Sequence, residues 1–101
     1  MSRWKRNDTL PDMVIYCFDD QGRRPDLTVA SEVRVITRNR GVPLWEKVVT
    51  GDADGKVSVP LTSTDTGTTG TFAAKVKVTW PNGGVQHYPP ADQWLTWTVT
   101  P

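Results

Sequence analysis

Apolar and polar residues alternate with a period of two along most of this chain, the spacing that turns one face of an extended strand toward a core. The longest case is residues 72–79, where Phe72, Ala74, Val76 and Val78 alternate with Ala73, Lys75, Lys77 and Thr79, an apolar face backed by a basic one. Residues 13–18 form a β-branched and aromatic run that stops at the turn cluster Asp19-Asp20-Gln21-Gly22. Further strands are predicted at residues 31–38, with Val33 and Val35 on one face, at 44–50, at 56–61, at 85–88 and at 94–100. In the last of these, Leu95, Trp97 and Val99 share one side, and Trp94, Thr96 and Thr98 the other.

The connections carry turn chemistry. Gly51-Asp52-Ala53-Asp54-Gly55 predicts a hairpin between the third and fourth strands. Pro81-Asn82-Gly83-Gly84 predicts another, because Asn and Gly accept the positive φ of a tight turn. Residues 23–28 and the Thr-, Ser-, Asp- and Gly-rich stretch 62–70 read as loops. Seven short strands without a helical period define an all-β chain, best closed as an antiparallel β-sandwich.

A length of 101 residues with 37% apolar content closes one core, hence one domain spanning residues 9–101. Residues 1–8 stand apart: Arg3, Lys5 and Arg6 give them a basic excess, and they read as a flexible solvated arm or, more sharply, as one that orders on a neighbouring subunit or an acidic surface. The absence of a long apolar run and of a signal-like start predicts a soluble protein made without export. The single Cys17 excludes an internal disulfide and a zinc ribbon. A net charge of +1 argues against nucleic acid as the main partner. Five tryptophans are more than a small sandwich buries, so some are expected to face a partner.

The order of these signals also resembles a known family. Asp19-Asp20-Gln21-Gly22, Pro25-Asp26-Leu27-Thr28 before Val33-Arg34-Val35, and Asp54-Gly55-Lys56-Val57 come first. Thr64-Asp65-Thr66-Gly67 then leads into Gly70-Thr71-Phe72-Ala73-Ala74-Lys75-Val76, and Trp80-Pro81-Asn82-Gly83-Gly84 with Tyr88-Pro89 completes the set. Together they resemble the immunoglobulin-like domain at the N-terminus of phage baseplate upper proteins. The resemblance implies an immunoglobulin-like sandwich of about seven strands acting as a structural virion protein of a tailed bacteriophage. Such a module docks on capsid, neck, tail or baseplate subunits in many copies, is made in the host cytoplasm and resides in the virion. Two features depart from the pattern: Phe72 stands where the tyrosine corner of Ig domains needs a hydroxyl, and the Cys and Trp framework of antibody domains is missing.

No catalytic residue, metal ligand or cofactor site is assigned, and an enzyme is not expected. His87 is the sole histidine, on a short strand with no evident nucleophile. Cys17 lies in an apolar run and reads as filler. Asp52 and Asp54 lack the downstream bidentate Glu of a calcium loop, and Asp19, Asp20 and Asp26 read as turn residues. The candidate partner contacts are Arg3, Trp4, Lys5, Arg6 and Trp94. The alternative function is a carbohydrate-binding module for attachment to a cell-surface glycan, with Trp45, Trp80, Trp94 and Trp97 as a stacking platform.

Overall fold

The computed structural model describes residues 2–90 and 92–101; Met1, the first residue of the expected arm, and Ala91 lie outside the described residues. The chain is all-β. Its strands are β1 (Ser2–Lys5), β2 (Met13–Tyr16), β3 (Glu32–Asn39), β4 (Val42–Val49), β5 (Lys56–Val59), β6 (Gly70–Thr79), β7 (Val85–Tyr88) and β8 (Leu95–Thr100). A 3₁₀ turn, Leu27–Val29, is capped by the Asp26 carboxylate, which accepts from the Thr28 amide at 3.0 Å.

Strands β2 to β8 occupy the segments whose alternation predicts them. They divide unequally between two sheets. The larger runs β1-β8-β6-β3-β4, with β7 also paired to β6; the smaller holds only β2 and β5. The ten-residue β6 organises the larger sheet, because its first half pairs with β8 and its second half with β7, while β3 covers its other edge from Ala73 to Thr79. The core forms where the apolar faces meet: Val33, Val35, Phe72, Ala74, Val76, Val78, Trp97 and Val99 from the large sheet, Met13, Ile15, Val57 and Val59 from the small one.

Two sequence expectations change. Ser2–Lys5 is not a flexible arm but an edge strand, paired in parallel with β8, so the large sheet is mixed rather than purely antiparallel. The cause is Trp4, only 3% exposed, whose ring meets Trp97 edge-on at 5.9 Å and whose indole N–H donates to the Pro11 carbonyl at 2.7 Å. A boundary between residues 8 and 9 therefore does not separate an arm from a core. Gly51–Gly55, in turn, does not fold β4 and β5 into a hairpin. Its tight turn forms, with Gly55 N–H donating to the Asp52 carbonyl, but the chain crosses between sheets there and β5 pairs with β2.

The β3–β4 hairpin turns instead at Arg40 and Gly41, both at positive φ (52° and 81°), the pairing that suits a two-residue loop. Its ladder shifts register between Ile36 and Arg38. There the buried Thr37 hydroxyl donates to the Trp45 carbonyl at 2.8 Å and accepts from the Trp45 amide at 3.1 Å, satisfying the backbone that the shift leaves open.

Candidate functional site

Strand alternation places a row of cations on the outer face of the large sheet. β3 contributes Arg34 and Arg38, with Ile36 between them; β6 contributes Lys75 and Lys77; His87 on β7 stands beside Lys77. On β1 the register sets Arg3 opposite Thr98 and Lys5 opposite Thr100, on the face away from the buried Trp4 and Val99. Arg3, Lys5 and Trp94, three of the five predicted contacts, thus belong to one face. Arg6 is exposed just past β1, its amide bonded to the Thr100 carbonyl at 2.7 Å. Trp4 is the correction: it points into the core and is closed to any partner.

Trp94 is the centre of this face. It ends the segment 92–94, which lies over the outer side of β6 and β3. The Arg38 guanidinium stacks on its ring at 3.6 Å from the centroid, and the Lys75 ammonium approaches the same ring at 5.2 Å. Lys75 also donates to the Gln93 carbonyl at 2.9 Å and is only 6% exposed. The alternation of β6 predicts a solvated lysine here; the loop, invisible to that pattern, covers it. Ile36, Arg38, Lys75, His87, Asp92 and Trp94 line an open cleft of about 660 Å³.

The electrostatics follow from which cations are paired. Arg34 is held by Glu32 at 2.9 Å and Glu46 at 3.3 Å, and it keeps the Glu32 carboxyl below its ordinary range. Arg38 has no carboxylate partner among the described residues. His87 is held below its ordinary value, first by partial desolvation and then by repulsion from Lys75 and Lys77. The cleft thus sets Arg38, Lys75 and His87 around the Trp94 ring, with Asp92 as a lining carboxylate.

The other singled-out residues serve the fold. Burial pushes the Cys17 thiol up to about 12, the behaviour of a buried hydrophobe. Asp52 accepts from the amides of Asp54 and Lys56, both at 2.9 Å, and Asp19 accepts from Gln21 and Arg23 at 2.9 and 2.8 Å, so these carboxylates shape turns. The indoles do not form one platform. Trp97 is in the core, Trp45 packs on it from the inner face at 6.0 Å, Trp80 donates to the Gln86 side chain at 2.8 Å, and Trp94 is on the outer face.

A second surface, which the sequence reading did not single out, runs along the flank where the small sheet ends. Val14, Tyr16, Phe18 and Leu95 are 36% to 46% exposed and lie together. With Met13, Ile15, Ala74 and Trp97 they enclose a cavity of about 280 Å³, and Tyr16, Phe18 and Leu95 continue into a second one beside Pro89 and Pro90. Comparison with protein-family models, curated proteins and solved structures gave no match to this chain.

Proposed function

We propose that this protein is a non-catalytic docking module, a structural component of a tailed-phage virion that attaches through the outer face of its large sheet to acidic surfaces of neighbouring capsid, neck, tail or baseplate subunits. The Arg38–Trp94 stack carries the reading. Arginine and tryptophan are the side chains that most often anchor protein contacts, and here each holds the other in place while Lys75 fixes the loop beneath. Leu44 and Val48 are exposed apolar residues on the adjoining β4. Repetition around a symmetric particle would multiply modest single contacts into firm attachment.

The immunoglobulin-like likeness belongs to this proposal at the level of two facing β layers. The division into six and two strands departs from the four and three of an immunoglobulin constant domain. The virion assignment is tested by complementation: particles assembled with Trp94→Ala or Arg38→Glu protein should carry less than one tenth of the wild-type copy number. Both variants should keep the wild-type thermal midpoint within a few degrees. Full loading of both variants would refute the outer face as the contact.

A further inference from the structure

We infer that the flank beside β2 is a second docking site, which takes an extended, apolar segment of a partner protein flanked by basic residues and pairs it as a third strand of the small sheet. The site is distinct from the Trp94 face and does not depend on it.

The backbone dictates the form of the occupant. Cys17 N–H donates to the Gly55 carbonyl at 2.8 Å, which fixes the Cys17–Gly55 pair as a hydrogen-bonded one; with the register Tyr16↔Lys56 and Val14↔Ser58, those two pairs are non-hydrogen-bonded. The amide and carbonyl groups of Val14 and Tyr16 therefore point away from β5. Among the described residues no strand lies on that side, so both residues present a donor and an acceptor outward in the spacing a further strand would match.

The side chains dictate its composition. The trough beside β2 is floored by Ala74, Leu95 and Trp97 of the large sheet, which a two-stranded partner sheet is too narrow to cover. At about 280 Å³ the first cavity lies at or below the small end of small-molecule sites, roughly 300 Å³, and suits a few aliphatic side chains from alternate positions of a strand. Asp12, exposed, immediately precedes β2, and Asp19 and Asp20 line the far cavity; these three carboxylates outnumber Arg24, whose guanidinium lies over Tyr16 and Phe18 at 5.4 and 5.5 Å. They favour lysine or arginine on either side of the inserted segment. A second copy of this chain is disfavoured, because antiparallel pairing of two β2 edges would bring Asp12 of one toward Asp19 and Asp20 of the other.

The test uses the intact, isotopically labelled chain and a synthetic peptide of three valines alternating with threonines between terminal lysines. Saturable shifts are expected at the amides of Val14, Tyr16, Leu95 and Trp97, with hydrogen exchange at Val14 and Tyr16 slowed at least tenfold. A peptide with terminal glutamates should bind at least tenfold more weakly. Leu95→Lys and Tyr16→Lys, both at exposed positions, should abolish the shifts while leaving the thermal midpoint near wild type. Absence of binding at millimolar peptide, shifts confined to other surfaces, equal binding of the glutamate peptide, or protection of Val14 and Tyr16 through self-association would each overturn the inference.

Discussion

Trp4 shows how one residue reassigns a segment. Its neighbours Arg3, Lys5 and Arg6 are charged and exposed, so the local pattern offers a single inward side chain and none of the repetition by which a strand is recognised. Yet that side chain closes an aromatic cluster with Trp97, which Phe72 completes at 4.8 Å. Trp4→Ala is expected to cost about 3–5 kcal/mol, the range for removing a large aromatic from a core, read as a lowered urea midpoint. Deleting residues 1–8 should destabilise the fold at least as much, the opposite of what a flexible arm predicts. Lys75 was hidden for a related reason: alternation along β6 identifies its face correctly but carries no record of the loop that lies across it.

Among the elements, β6 was the most legible, because its eight-residue alternation has a period that only a strand satisfies. Turn chemistry was legible too, but it is local. Gly51–Gly55 makes the tight turn its residues require, whereas the choice of partner for β5 depends on which sheet buries Val57 and Val59, and that information lies in β2. The Arg40–Gly41 turn went unmarked because arginine at positive φ is uncommon. The crossover leaves a measurable trace at Gly51. A Cβ there would lie 2.5 Å from Cβ of the buried Leu27, whose amide is bonded to the Asp52 carbonyl at 3.0 Å, so neither side can move freely. Gly51→Ala should therefore lose about 1–3 kcal/mol in chemical denaturation, the typical cost of overpacking.

For the whole molecule, the titrating groups predict a stability plateau bounded on both sides. His87, Asp26, Glu32 and Asp65 all have folded values below their ordinary ones; for Asp65 the hydrogen bonds from Lys47 and Thr62 outweigh the opposing effect of burial. The unfolded chain binds more protons at these groups, so their contribution is full above the ordinary values and falls with pH, beginning near the ordinary histidine value of 6.5. Cys17 and Tyr88 are raised, mainly by desolvation, so the contribution of Cys17 is full below its ordinary value of 9.0 and is lost as pH climbs toward about 12. Urea midpoints should hold level between these limits and fall outside them, and Cys17→Val should flatten the first part of the alkaline fall. An unchanged alkaline slope in that variant would contradict the assignment. The outer face and its cleft were only partly legible at this scale, since the sequence marks Trp94 and the basic residues but not the sheet order that gathers Arg3, Lys5, Arg38 and Lys75 onto one side.

The parallel pairing of β1 with β8 has a mechanical consequence. Because Ser2 aligns with Trp97 and Lys5 with Thr100, a pull applied through Ser2 and Thr100 draws the two strands past each other lengthwise. All the hydrogen bonds between them then bear load together in shear, instead of parting one after another as in a peeled hairpin. A module tethered through those two strands would resist stretching along their shared direction until the whole ladder yields at once.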